Sequence, residues 1–132
     1  MGTERHLMQG YLDALFKRAG DYSDYFADDV VASMEGTGQR AEGRQAVAEF
    51  VRNLHRSAFD AYAELKNLLV DEGKAAIEAD FVGTHTGEFA GVQATGRTVR
   101  VPYSVVYDLR GDKIARLRMY FPVSLLVEQL TN

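Results

Sequence analysis

The 132-residue sequence contains no cysteine. That excludes disulfides, thiolate metal sites and thiol nucleophiles, and with them a secreted disulfide scaffold. A reducing compartment fits this usage, so a cytoplasmic location is expected. No uninterrupted apolar run approaches the length of a membrane span, and the opening stretch MGTERHLMQGYLDALFKRAG interleaves charge with apolar residues instead of presenting the apolar core of a signal peptide. No membrane partner is expected. Basic residues are outnumbered, 15 Lys and Arg against 19 Asp and Glu, and they are scattered along the chain, so nucleic acid is not an expected partner. His6, His55 and His85 share no ligand spacing, and the glycines of the 83–96 stretch lack the strand-glycine-helix setting of a nucleotide fingerprint. Neither a metal nor another cofactor is expected. Repeats, low-complexity tracts and linkers are also missing. What is present is an ordinary globular balance, 46% apolar and 26% charged, which predicts one domain over residues 1–132.

Helical periodicity comes first. Leu7, Met8, Tyr11, Leu12 and Leu15 follow the spacing of an amphipathic helix, with Thr3 as its N-cap and Ala19-Gly20 as its stop. A shorter helix, DYSDYFAD, starts at Asp21 and turns Tyr22, Tyr25 and Phe26 inward, with Asp28 and Asp29 capping the passage into the β-like DVVASMEG and the turn GTGQRAEG. A third helix begins near Gly43, with Val47, Phe50, Val51 and Leu54 on its apolar face and His55 and Phe59 at its handover to extended chain. From there the period is two. DAYAELKNLLV, KAAIEADFVGTHT, RTVRVPYSVVYDL and KIARLRMYF predict an antiparallel meander, and VSLLVEQL after Pro122 predicts a last helix. Helices followed by strands indicate an α+β fold, with helices packed on one face of a curved sheet.

With Gly111-Asp112 as the last hairpin turn, Arg110 faces Lys113, and counting back sets Ser104 opposite Met119 and Val106 opposite Leu117. Ser104, Val106, Leu117, Met119 and Phe121 then form the inner face. Tyr103, Tyr107, Arg116, Arg118 and Tyr120 fall on the outer face, in a mixture of aromatic and arginine that suits a homodimer interface or a solvated surface of arginine stems over tyrosine rings. On the preceding strand Ile77, Ala79, Phe81 and Gly83 point inward and His85 ends their row. There it either exchanges a proton near neutral pH or hydrogen-bonds Glu88 or a loop carbonyl and orders the mouth.

The stretches YLDALFKRAGDYSDYFADDVV, GTHTGEFAGVQATGRTVRVPYSVVYDLRGDKIARLRMYF and LLVEQL resemble the SnoaL-like polyketide cyclases of the nuclear transport factor 2-like superfamily, to which ketosteroid isomerase is related. The resemblance implies a cystatin-like cone in which N-terminal helices close an antiparallel sheet over an apolar pocket, in a dimer. It also implies proton transfer on hydrophobic, ring-forming or enolisable compounds. Tyr11 stands at the isomerase's oxyanion-donating tyrosine. Met34 stands at its general base and Ser104 at its second acid, while Pro122 replaces the aspartate that ends the last strand of the cyclases.

The expected catalytic residues are therefore His85 as acid/base, Tyr11 as donor to the substrate oxygen, and Glu35, if a bulge turns it inward from the face opposite Met34. The expected ligand wall takes Leu15, Tyr22, Tyr25, Met34, Phe50, His55, Phe59 and Phe81 together with the inner residues of the last hairpin. A small hydrophobic molecule is the expected partner, transformed by an enzyme or merely held by a binding protein.

Overall fold

Alternation and helical periodicity resolve into three helices and one six-stranded sheet. The computed structural model describes residues 2–17 and 20–131, which leaves the helix stop expected at Ala19 outside the described residues. Helix α1 (Gly2–Phe16) buries Leu7, Met8, Tyr11, Leu12 and Leu15, and Thr3 lies within its first turn rather than at a cap. Asp21 caps as expected, accepting from the Ser23 N–H, but it opens only a 3₁₀ turn (Tyr22–Tyr25), and Phe26 already belongs to strand β1 (Phe26–Met34). The stretch read as a plain turn contains a further strand, β2 (Gln39–Glu42), antiparallel to β1. Gly36 and Gly38 reverse the chain between them at φ 84° and 79°, values that favour glycine.

Helix α2 (Arg44–Arg52) starts behind Gly43, whose φ of 93° makes the corner while its N–H is tied to the Val30 carbonyl. Strands β3 (Phe59–Asp71), β4 (Lys74–His85), β5 (Thr98–Arg110) and β6 (Lys113–Tyr120) form the meander, and helix α3 (Val123–Thr131) follows Pro122. The sheet order is β2-β1-β6-β5-β4-β3, and β1 runs parallel to β6, so the sheet is mixed rather than antiparallel throughout. A first strand entering beside the last one after a helical excursion is free to adopt either direction. The Gln129 side chain brackets the Arg100 backbone, accepting from its N–H at 3.1 Å and donating to its carbonyl at 3.0 Å, which fixes α3 against β5.

One residue changes the inside of the molecule. Arg110 faces Lys113 and Leu109 faces Ile114 as counted, but Asp108 faces Arg116, leaving Ala115 as a bulge. Every pairing beyond it slips by one: Ser104 faces Tyr120 and Val105 faces Met119. The inner face of β5 is consequently Val99, Val101, Tyr103, Val105, Tyr107 and Leu109, all buried. Ser104 and Val106 are not on the inner face, and Tyr103 and Tyr107 are not on the outer one. Arg116, Arg118 and Tyr120 do lie outside, where the Arg118 guanidinium donates twice to the Asp108 carboxylate at 2.9 and 3.0 Å. That pairing holds the Asp108 carboxyl well below the usual carboxylate range.

Candidate functional site

Among the described residues, two spaces between the helices and the sheet bring expected site residues together. The inner one, a cavity of about 10 Å³, is lined by Tyr11, Leu15 and Phe16 of α1, Val51 of α2, His55, Tyr103, Val105 and Tyr107 of β5, and Leu117 and Met119 of β6. That volume is at the lower limit for one water molecule. The outer one is an open cleft of about 820 Å³ between the β1–β2 turn, the end of α2, the 88–90 loop and the start of α3, with Met34, Phe50, Leu54, Phe89 and Val123 among its apolar walls and Arg40, Asn53 and Glu88 among its polar ones. Met34 in the cleft and Met119 in the inner cavity are register partners on adjacent strands, and Leu54 and His55 are neighbours that line the cleft and the cavity respectively. Methionine side chains repack readily, so the partition between the spaces is a soft one.

The inner cavity is mostly apolar, but three tyrosines contribute to its wall. Tyr11, Tyr103 and Tyr107 are 1%, 6% and 2% exposed. Burial pushes all three phenol pKa values up, and mutual repulsion of the ionised forms raises Tyr11 and Tyr107 further. Each therefore stays protonated, as a hydrogen-bond donor. The rings of Tyr11 and Tyr107 meet edge to face with centroids 6.0 Å apart.

His55 reaches this cavity through an irregular backbone. A single π-helical turn (Asn53–Ser57) extends α2, closing with the Ala58 N–H on the Asn53 carbonyl at 2.7 Å, and it buries both Leu54 and His55. The His55 Nδ1–H donates to the Val51 carbonyl at 2.9 Å. That bond leaves Nε2 as the bare lone pair, buried and without a hydrogen-bond partner among the described residues. Burial pushes the imidazole down to about 4, against the opposing effect of the Val51 bond and with a further lowering by the Arg56 charge. The ring is neutral at physiological pH.

The remaining expected site residues divide by face. His85 is fully buried at the end of its inward row, but it lines neither space. Its Nδ1 accepts the Thr95 N–H at 3.0 Å, its backbone exchanges hydrogen bonds with Arg97 and Gly96, and its ring lies 5.2 Å from Phe59, so it pins the end of the 86–97 loop to β4. Neither Glu88 nor a loop carbonyl accepts from its ring; the partner is Thr95. Glu35 accepts from the Ser33 hydroxyl at 2.7 Å, on the face shared with Arg118, and does not turn inward. Tyr22 is buried and donates to the Ala48 carbonyl at 2.8 Å, while Tyr25 packs on Gly10; neither lines the cavity or the cleft. Met34 and Phe50 line the cleft, and Leu15, Leu117 and Met119 line the cavity with Tyr11 and His55. Phe59, Phe81 and Phe121 form an aromatic cluster beside it, with Phe81 at 5.3 Å from Phe59 and 5.0 Å from Phe121. Among the described residues no group of three or more His, Asp or Glu side chains is placed to hold a metal ion. No helix of the described residues is long and apolar enough to cross a membrane.

A family model for SnoaL-like polyketide cyclases matches residues 6–130. The chain belongs to that family. Solved structures of similar fold include a provisionally named SnoaL-like polyketide cyclase from Jannaschia, at TM-score 0.87 and 16% identity over 98% of this chain and 92% of that one. A provisionally named polyketide cyclase from Xanthomonas campestris has TM-score 0.82 and 24% identity over 98% of both chains. A Catenulispora acidiphila protein of ketosteroid isomerase-like fold, solved with trimethylamine, has TM-score 0.77 and 16% identity over 94% of this chain and 91% of that one. Among curated proteins, none matches the chain. At these identities the structures establish the fold, α+β with helices packed on a mixed sheet, and the family membership rests on the sequence model. Tyr103, Val105 and Tyr107 are the β5 cavity residues that hairpin counting missed; the strand's own alternation of Val99, Val101, Tyr103, Val105 and Tyr107 carries the signal.

Proposed function

We propose that this SnoaL-like protein is a cofactor-independent enzyme of the cyclase and isomerase type, transferring a proton on a small hydrophobic, enolisable substrate. The carrying observation is Tyr11, buried with Tyr103 and Tyr107 around one cavity and held protonated there. An enolising carbonyl gathers negative charge on oxygen, and neutral hydroxyls fixed in a water-poor interior stabilise that charge without reorganising. The substrate body occupies the outer cleft, and its carbonyl end passes the Met34–Met119 partition to the tyrosines.

Deuterium incorporation into β-tetralone in heavy water, followed by proton NMR, tests this. The protein accelerates exchange at the carbon next to the carbonyl well above the buffer rate. Tyr11→Phe slows it by about tenfold, below the 10²-fold typical of a lone donor because Tyr103 and Tyr107 remain. Saturable binding with no exchange would sink the enzyme reading in favour of the second one, a binding protein. The observation behind that alternative is volume: about 820 Å³ in the cleft against about 10 Å³ beside the tyrosines.

We also propose a homodimer through the outer sheet face, supported by half-exposed Tyr120 and Tyr62. Native mass spectrometry at micromolar concentration gives twice the chain mass if this holds and the chain mass alone if it does not.

A further inference from the structure

Resting on the proton-transfer reading, we infer that His55 is its catalytic base. The geometry is specific. His55 is 3% exposed, its Nδ1–H is fixed on the Val51 carbonyl, its bare Nε2 is buried without a partner among the described residues, and the residue lines the same cavity as the three tyrosines. A buried imidazole nitrogen without a partner leaves an uncompensated acceptor, which a packed interior tolerates at a cost unless a ligand or water meets it. The π turn that brings His55 inward is a second departure from regular structure at the same place. His85 also has an unpartnered Nε2, but it lines neither space.

The step balances without a cofactor. His55 Nε2 takes the proton from the carbon beside the carbonyl, and the C–H electron pair becomes the enolate double bond. The carbonyl π pair moves onto oxygen, where tyrosine hydroxyls donate to it. For exchange, the imidazolium trades that proton for a deuteron from the solvent and delivers the deuteron to the same carbon; for isomerisation it returns the proton to a conjugated carbon. The titratable groups lining the cavity with His55 are Tyr11 from α1 and Tyr103 and Tyr107 from β5, all protonated, and the nearby charge is Arg56, which lies 5.3 Å from the Tyr22 ring centroid. A base of conjugate-acid pKa about 4 is unprotonated across the physiological range. Ketosteroid isomerase works with a base of comparable strength, about 4.6.

The test uses the same β-tetralone exchange on the full chain, with two substitutions. His55→Asn keeps a donor near the Val51 carbonyl and removes the lone pair, and His55→Phe keeps the ring volume. Both lower the exchange rate by about 10²-fold or more while the variants stay folded by circular dichroism. In the wild type, the rate is independent of pH above about 4 and falls below it. Nitrogen-15 NMR of the wild-type histidines, independent of activity, shows His55 as the Nδ1–H tautomer with Nε2 bare. A His55 Nε2–H tautomer, or wild-type exchange rates in a folded variant, overturns the assignment of the base while leaving the proton-transfer reading intact. Absence of exchange by the wild type overturns both.

Discussion

Replacing Phe81 with alanine lowers the unfolding free energy by about 3–5 kcal/mol, the range for removing a buried phenylalanine from a packed core. Phe81 is fully buried on β4 and is the hub of the aromatic cluster, with ring contacts to Phe59, Phe121, Tyr103 and His55 between 5.0 and 6.1 Å. Those partners come from β3, β5, the π turn and the β6–α3 connection, so the ring is held from four separate parts of the chain. The loss combines the transfer free energy of the ring, its edge-to-face contacts and the cavity left behind. Urea denaturation of wild type and variant measures it. A loss under about 1 kcal/mol would mean that the cluster is not packed as described.

Lowering the pH from 6.5 to 4 removes roughly 3 kcal/mol of stability through His55 alone, since its pKa falls from 6.5 to about 4 on folding. The sign follows from proton counting. Between those values the unfolded imidazole binds a proton that the buried one refuses, so unfolding takes up protons and acid favours it. The contribution is complete above pH 6.5 and is lost as the pH falls through 4. Asp108 and Asp80, whose pKa values are lowered by Arg118 and by Lys66 with Arg100, add acid sensitivity of the same sign. Subtracting the pH dependence of His55→Asn from that of the wild type isolates the histidine. A difference that does not change with pH would show that His55 is hydrated in the folded protein and not enclosed.

The helices and the meander were legible because each segment carries a clean period: three and four along α1 and α2, two along β3 to β6. The family's turn residues, such as Gly111-Asp112 and Pro122, carried the rest of the topology. The cavity was less legible for a specific reason. Its β5 wall was placed by counting back from a hairpin turn, and a one-residue bulge at Ala115 reverses every assignment beyond it. The strand itself had the better information, because Arg100, Pro102, Ser104 and Asp108 alternate with an unbroken apolar row. His55 is a harder case. Helical periodicity assigns it to the end of α2, and nothing in the spacing announces the π turn that carries it inward. Strand β2 was hidden by the glycines that flank it, Gly36, Gly38 and Gly43, which make the stretch read as one long turn.

On the proposed reading the chemistry lies away from the mouth, where His85 ties down a loop, and in the interior, where Tyr11, Tyr103, Tyr107 and His55 line one small cavity. Pro122 also has a plain role. It precedes α3, and its carbonyl accepts the Leu126 N–H at 3.0 Å.

The central claim is that a substrate carbonyl reaches the buried tyrosines. Infrared spectroscopy of carbonyl-labelled β-tetralone bound to the protein tests it most directly. A band shifted to lower frequency than in apolar solvent, and moved back toward the unbound value by Tyr11→Phe, is the predicted result. A bound carbonyl whose frequency is the same in wild type and Tyr11→Phe would place the ligand in the outer cleft alone and contradict the account.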